Sequence, residues 1–487
     1  MIRDEQGSMT AFLAMLFLVF LLLISICVEG IYLYVGRGKA AGACMSGLSH
    51  TRGNYQRELG EMYHIYALDP RYREKMAKDF QATIKESLTE SRDSFKFQAG
   101  GAEVSNFIHM TDQQGEVLKY QIRQLMKYES AVDMLAFWKS KLNETKKLGE
   151  NVSGVQNQME KSEMKAEQQK KEGNKESESK ENESETGRKD PRKGLMSLLR
   201  EGSVSLIMGS RKVSDQNISI VYGKADTSKV KSWNFMSRKE TDRQMEKVKK
   251  ISSGTGLSTE FPAILYSLKY FHCLTNQEKK EGIQYEIEYL ISGKSSEKEC
   301  LGSVFWKMIG LRFLTNVSYV YRDPAKQKEA AALAASILGI TGIAPLVSLA
   351  KNLLLAALAY GESVVDVRNL AEGKEVPFLK DAATWQMSFS GLAALTCKTK
   401  PVQQGMSYED YLMLLLIMQK DKKQRYFRMM DLMEQNIRRQ VPDFRLNQCA
   451  VSYRISVNLR LNHLSFGGLG LPFGNSTGWK FQRTISY

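Results

Sequence analysis

The sequence predicts a mainly helical protein with a small β part, an α+β fold that begins with a transmembrane helix. Three observations lead to this prediction. Met9–Val28 is a run of twenty residues without a charge or a proline. Apolar residues at three- and four-residue spacing, which is typical of helices, recur in the chain that follows. Near the C-terminus, Val451–Leu461 alternates apolar and polar residues, which predicts a β-strand buried on one face.

The apolar run is predicted to be a retained membrane anchor. A helix of ~20 uncharged residues, rising about 1.5 Å per residue, crosses the ~30 Å hydrocarbon core of a bilayer. Secretory signal peptides have shorter apolar regions, about 7–15 residues, followed by a cleavage site of small residues. Here the run is followed by Glu29-Gly30-Ile31-Tyr32. Residues 1–30 are therefore interpreted as a cytoplasmic stub and a transmembrane helix.

Charge alone leaves open which side of the membrane holds the body. Arg3 precedes the run, whereas Arg37, Lys39 and Arg52 follow it, and the positive-inside rule would then place the body in the cytoplasm. Long domains, however, are translocated largely regardless of such charges. Both orientations stay open at this point.

Residues 31–149 are predicted to contain a stalk helix and a first helical part. The stalk is expected to continue the anchor as far as Leu68, where Asp69-Pro70 ends it. Its apolar stripe has spacings of seven, four, three and four residues and consists of Leu48, Tyr55, Leu59, Met62 and Tyr66.

Residues 150–194 are predicted to be a disordered, charged linker. Val152–Lys193 contains ten basic and ten acidic residues and no aromatic residue. Such a segment cannot bury enough apolar surface to offset the entropy lost on ordering. Because its charges cancel, the net charge of +15 belongs to the rest of the chain.

Residues 195–487 are predicted to form a helical body that ends in an antiparallel β-hairpin. Short strands are expected at Val204–Met208 and Ile218–Tyr222. The helices are expected at Phe261–Leu274, Leu301–Tyr321, Ser407–Met418 and Tyr426–Ile437. The hairpin pairs Val451–Leu461 with a second alternating segment at Trp479–Tyr487, across a turn rich in glycine.

A second uncharged stretch, Ala330–Ala350, has two interpretations. It is rich in Ala, Gly and Ser, and Gly339, Gly342 and Pro345 interrupt it. These features favour a buried helical hairpin, and a second membrane span is the alternative.

Four cysteines are candidates for disulfide bonds if the body lies outside the cytoplasm. The candidate pairs are Cys273 with Cys300 and Cys397 with Cys449. Buried free thiols are an equally good interpretation. The chain contains no CxxC pair, and therefore no zinc-binding or thioredoxin-like motif can be identified.

The sequence indicates no catalytic, cofactor-binding or metal-binding residues, and the protein is not expected to be an enzyme. Phosphate-binding, dinucleotide-binding, nucleophile-elbow and HExxH motifs do not occur in the sequence, and its five histidines do not cluster. A basic chain can bind nucleic acid, but this one has no compact basic cluster interleaved with aromatic residues. We therefore expect no nucleic-acid partner.

The start of the chain resembles the processing site of type IV prepilins, in which a peptidase cuts after a glycine. The resemblance lies in the Gly7-Ser8 junction, where the sequence changes from polar to apolar. Such pilins usually have Glu at the fifth mature position, where this chain has Phe12. An ordinary uncleaved signal anchor is therefore the favoured interpretation, and prepilin-type processing is the alternative.

Two regions resemble an uncharacterised family of single-span TadE/TadG-like envelope proteins of Gram-positive bacteria, which are associated with tight-adherence (Flp-type) pili. The first is residues 7–69, and the second contains QYEIEYLISGKSSEKE, the segment AASILGITGIAPLVSLAKNLLLAALAYGESVVDVRNLAEGKEVPFLK and MSYEDYLMLLLIM. The resemblance implies a single-pass protein of the cell membrane with most of its chain extracytoplasmic.

The function expected from the anchor, the stalk and the resemblance is structural. The protein would be an accessory or pseudopilin-like component linked to a Tad/Flp-type pilus, with pilus or secretion-system subunits as partners. The alternative is a cell-surface module that binds anionic wall polymers, because the net charge of +15 favours such partners.

Overall fold

The structure is a computed structural model that describes most of the chain outside the expected linker. It describes residues 4–89, 95–128, 137–138, 140–141, 143–147, 202–223, 257–276, 282–338, 344–392, 395, 405–464 and 476–487. For residues 4–8, 113–114, 257–259 and 344 it describes the backbone alone. The charged segment 150–194 lies outside these residues, and the linker stays a prediction.

The expected α+β class is confirmed. The helices are α1 (Asp4–Arg52), α2 (Arg57–Tyr63), α3 (Met76–Thr89), α4 (Glu116–Leu125), α5 (Ser203–Met208), α6 (Leu257–Tyr270), α7 (Glu286–Ser292), α8 (Glu297–Val320), α9 (Pro324–Leu338), α10 (Ala344–Ala371), α11 (Tyr408–Met418) and α12 (Lys422–Ile437). The strands are β1 (Phe97–His109), β2 (Ala450–Asn462) and β3 (Ser476–Ser486).

The chain forms two compact units. Among the described residues, unit 1 comprises those at 4–121 and 441–487, and unit 2 comprises those between 122 and 440. The terminal hairpin therefore belongs with the N-terminal part of the chain. The prediction that the hairpin packs in a body of residues 195–487 is wrong. Strand β2 of the hairpin pairs with β1, which lies near the start of the chain, and this pairing places the hairpin in unit 1.

The sheet of unit 1 is antiparallel with the order β1-β2-β3. The expected C-terminal hairpin is confirmed, with Val457 opposite Phe481 and Leu459 opposite Trp479. Strand β1 was not expected from the sequence. Its Gly100-Gly101 pair lies where the register with β2 shifts, and this irregularity interrupts the alternation by which a strand is recognised.

The second half of α1 packs against this sheet and against α3. Their shared core contains Ala40, Ala43 and Cys44 of α1, Phe80 and Ile84 of α3, and Ile455, Val457 and Leu459 of β2. Small residues allow this close approach, since a Cβ added at Gly47 would lie 2.9 Å from the Phe80 ring. The second half of α1 is therefore part of the core of unit 1.

The stalk helix is shorter than expected, because α1 ends at Arg52. Gly53 follows and donates hydrogen bonds to the carbonyls of Ser49 and His50, which ends the helix. Tyr55 then forms an isolated antiparallel bridge with Leu68. The expected stripe is thus divided between α1, α2 and the segments beside them.

In unit 2, the described parts of the uncharged stretch, residues 330–338 and 344–350, lie in the two packed helices α9 and α10. Within the described residues, the stretch Met9–Arg52 of α1 is the one helix long and apolar enough to cross a membrane. The helical hairpin is therefore the interpretation that the described residues support. The helix expected to start at Ser407 is confirmed, and Ser407 caps it in a capping box with Asp410 as its reciprocal partner.

The two short strands expected in unit 2 are wrong. Val204–Met208 lies in helix α5. Ile218–Tyr222 is irregular, and the carboxylate of Asp431 accepts hydrogen bonds from the backbone N–H groups of Val221, Tyr222 and Gly223 at 2.7–2.9 Å. A buried side chain thus satisfies donors that a neighbouring strand would otherwise satisfy.

Candidate functional site

The first half of α1 exposes a continuous apolar surface. Its most apolar window has a mean hydropathy of 3.1, and none of that window is buried. Phe12 is 65% exposed and Met15 is 71% exposed. Core helices of soluble proteins bury such side chains, so this helix fits a membrane anchor. Gly7 and Ser8, the candidate processing residues, lie in the helical backbone of α1 just before this surface.

Strand β2 runs alongside the second half of α1 in the opposite direction. Leu48, near the end of α1, packs in a cluster with Tyr453. Further back along the helix, the Leu461 side chain occupies the space that a Cβ at Gly36 would need. Glu29, one residue after the apolar run, contacts His463. The C-terminal end of β2 therefore lies where α1 leaves its exposed apolar half.

The contact between Glu29 and His463 satisfies both side chains. Glu29 is only 6% exposed, and its Oε1 lies 2.6 Å from His463 Nδ1. Its Oε2 accepts a hydrogen bond from the backbone N–H of Leu464 at 3.2 Å. The hydroxyl of Thr477 lies 2.9 Å from His463 Nε2, so the ring also contacts the first residues of β3. The first carboxylate after the apolar run is thus enclosed by the end of the sheet.

The residues just before β1 contact α1 close to Glu29. Phe95 stacks on Tyr32 with ring centroids 4.6 Å apart, and Lys39 Nζ lies 4.9 Å from the Phe95 ring centroid. Aromatic stacking and the cation–π contact hold this end of the sheet against the helix. These contacts position a surface, and they include no nucleophile with an activating base.

Unit 2 contains a cluster of buried charges that balance one another. Arg312 pairs with Asp366 at 2.8 Å, Lys380 pairs with Asp366 at 2.6 Å, and Lys380 also contacts Glu362. Burial alone would lower the pKa of the Arg312 guanidinium, but Asp366 and Tyr411 outweigh it and the pKa is raised. The cluster joins α8 to α10, and its arrangement suits a structural role.

Unit 2 also contains the buried carboxyl of Glu288, on α7. It is fully buried and accepts hydrogen bonds from the backbone N–H of Leu274 at 3.0 Å and the hydroxyl of Tyr408 at 2.8 Å. Its Oε2 has no hydrogen-bond partner among the described residues. Burial raises the pKa of the Glu288 carboxyl to about 7.

A cavity of about 390 Å³ lies in unit 2 beside Cys273. Its walls combine apolar residues such as Trp138 and Phe271 with the charged residues Lys269 and Glu409. Burial, with a smaller effect of Glu288, raises the pKa of the Cys273 thiol to about 12. A thiol that stays protonated at neutral pH is a poor nucleophile, so the cavity has no evident catalytic group in Cys273.

The structure contains free thiols where a disulfide was a candidate. Cys273, Cys300 and Cys449 are buried and free, while Cys397 lies outside the described residues. The structure therefore corresponds to the interpretation of buried free thiols for Cys273 and Cys300. The Cys300 thiol donates to the Lys294 carbonyl at 3.5 Å, and burial raises its pKa to about 11.

Sequence reasoning missed Glu29 and His463, which are 434 residues apart in the chain. Of these two residues, Glu29 alone has a distinctive position in the sequence, since it is the first charge after an uncharged run. Among the described residues, no group of three or more His, Cys, Asp or Glu side chains could hold a metal ion.

Comparison with known proteins identifies a family but no activity. A family model described as "Family of unknown function (DUF5702)" matches residues 177–461, which is more than half of the chain. That range includes β2 except for its last residue, ends before β3 and begins after α1. Searches of the curated proteins and of the solved structures each found no match.

Proposed function

The chain belongs to DUF5702, a family of unknown function, and we propose that it is a membrane-anchored structural or assembly protein. Its body would be extracytoplasmic, on one N-terminal helix. The finer proposal is an accessory or pseudopilin-like component linked to a Tad/Flp-type pilus, with pilus or secretion-system subunits as partners.

The observation that supports this proposal most is the division of α1 into two halves. The first half presents large apolar side chains to its surroundings, whereas the second half is part of the core of unit 1. Fully burying one large apolar side chain is worth about 1.5–3 kcal/mol. So many exposed residues therefore require lipid or a bundle of similar helices, which are the surroundings of an anchored assembly subunit.

The polar groups of the described residues also favour a structural role. Asp431 binds backbone N–H groups. Two buried cations, Arg312 and Lys380, are balanced in the core by the carboxylates of Asp366 and Glu362. Buried charges used in this way specify packing. The alternative proposal, binding of anionic envelope polymers, has the net charge of +15 in its support.

Deletion of the gene tests the pilus proposal. We expect surface pili and adherence to fall to the level of a strain that lacks a pilus-assembly gene, because an assembly component would be missing. The wild-type gene should restore both. A variant in which a cleavable signal peptide replaces Met9–Val28 should not, since its body would be released. Unchanged pili and adherence in the deletion strain would contradict the pilus proposal.

A further inference from the structure

The exposed apolar surface of α1 continues beyond the uncharged run. Ile31 is 65% exposed, Tyr34 is 81% exposed and Val35 is 41% exposed. Glu29, which interrupts the run in the sequence, is only 6% exposed. The first exposed charge after the run is therefore Arg37.

This surface is longer than a bilayer core requires. From Met9 to Val35 the helix measures about 40 Å at ~1.5 Å per residue, whereas the hydrocarbon core is ~30 Å thick. The last part of the apolar surface, at Ile31 and Tyr34, then falls at the boundary between the acyl chains and the headgroups. Tyrosine is enriched at this depth because its ring is apolar and its hydroxyl is polar.

Glu29 can lie this close to lipid because the sheet encloses it. An unpaired carboxylate is costly near the acyl chains, and proteins pair such groups or direct them away from lipid. His463 and the backbone N–H of Leu464 both contact Glu29, at 2.6 Å and 3.2 Å. The same contacts fix the end of β2 at the depth of Glu29.

The ends of all three strands are thereby brought to this level. Asn462, the last residue of β2, pairs with Ser476, the first residue of β3, and Phe95 precedes β1 while stacking on Tyr32.

We propose that this end of unit 1 is a second membrane contact beside the anchor. We name it the membrane-contact end and define it by Glu29, Tyr34, Phe95, His463 and Thr477. It rests in the headgroup region of a bilayer, and the proposal depends on the proposed anchoring by α1. Arg37 and Lys39 follow on the helix, where basic side chains attract anionic headgroups.

Nitroxide labels at single cysteines measure the depth of each position. The full chain is reconstituted in vesicles of phosphatidylcholine and phosphatidylglycerol, with Cys27 and Cys397 replaced by serine. The other wild-type cysteines are buried in the folded protein, so they react slowly with the label. Labels are placed through Tyr34→Cys and Ser476→Cys at the membrane-contact end. Collision rates with oxygen, which enters lipid, and with a nickel chelate, which stays in water, then report depth.

Two further labels separate this proposal from anchoring itself. Leu18→Cys lies within the apolar run, and Ser49→Cys lies on α1 about 22 Å beyond Tyr34 at ~1.5 Å per residue. We expect Leu18 to be deep in lipid, Ser49 to be in water, and both Tyr34 and Ser476 to be at the headgroup boundary. Tyr34 and Ser476 labels as accessible to nickel as Ser49, with Leu18 still in lipid, would overturn the second contact while anchoring stands. A water-accessible Leu18 would overturn both.

A substitution at His463 tests what holds the sheet at this depth. In His463→Ala, the Ser476 label should become more accessible to the nickel chelate, because the side-chain contact of His463 with Glu29 is lost and the backbone N–H of Leu464 is left as the contact described there. The Leu18 label should not change. His50→Ala, which changes an exposed histidine of α1, is the matched control and should leave every label unchanged. An unchanged Ser476 depth in His463→Ala would overturn the role of this contact.

Discussion

Replacing Arg312 with methionine is expected to lower the free energy of unfolding of unit 2 by about 3–5 kcal/mol. The guanidinium is fully buried and donates to Asp366, to the hydroxyl of Tyr411 and to the carbonyls of Pro377 and Phe378, each at about 2.9 Å. Methionine fills much of the volume but leaves Asp366 with less compensation and two carbonyls without a donor.

Urea unfolding of the full chain in detergent measures this effect. The fluorescence of Trp385 reports the unfolding of unit 2, because its side chain is 5% exposed and contacts Tyr319 of α8 with ring centroids 5.1 Å apart. The control is Lys374→Met, which removes an ion pair with Glu372 on the surface and should change stability by less than about 0.5 kcal/mol. Equal effects of the two substitutions would contradict the structural role of the buried cluster.

Replacing Glu288 with glutamine is expected to remove a dependence of stability on pH. The pKa of this carboxyl is raised from 4.5 to about 7 by burial, so the folded state keeps a proton that the unfolded state loses as pH rises. Wild-type stability therefore falls between pH 4.5 and pH 7 and levels off above, by roughly 3 kcal/mol in total. Glutamine carries no charge, and its carbonyl can still accept from Leu274 and Tyr408.

The measurement is the difference in unfolding free energy between Glu288→Gln and the wild type across this pH range. We expect the variant to gain stability relative to the wild type as pH rises. Glu409→Gln changes an exposed glutamate on α11 and serves as the control, with a difference that varies little with pH. A constant difference between Glu288→Gln and the wild type would show that folding does not raise the pKa of the Glu288 carboxyl.

Features with a local pattern were predictable from the sequence. The uncharged run, the capping box at Ser407 and the alternating strand β2 each depend on residues close together in the chain. Strand β1 escaped detection because Gly100-Gly101 and a register shift interrupt its alternation. The short strand expected at Ile218–Tyr222 was wrong because Asp431, far away in the chain, binds that backbone.

The candidate site depends on contacts that no local pattern specifies. Glu29 and His463 come from opposite ends of the chain, and either could be an ordinary surface residue when the sequence is considered alone. Arg312 and Asp366 could also be ordinary surface residues when the sequence is considered alone, since a charged residue on an amphipathic helix usually faces water. Only the packing of α8 against α10 places these two charges in a core.

Labelling of one engineered cysteine in intact cells tests the proposed location of the body most directly. The position is Ser49→Cys, which is exposed on α1, in a chain with Cys27 and Cys397 replaced by serine. Cys273, Cys300 and Cys449 are buried, so they should react only after denaturation, which provides the control for reagent and protein. The account predicts that a membrane-impermeant maleimide labels this position on intact cells. Labelling only after lysis would place the body in the cytoplasm and contradict the account.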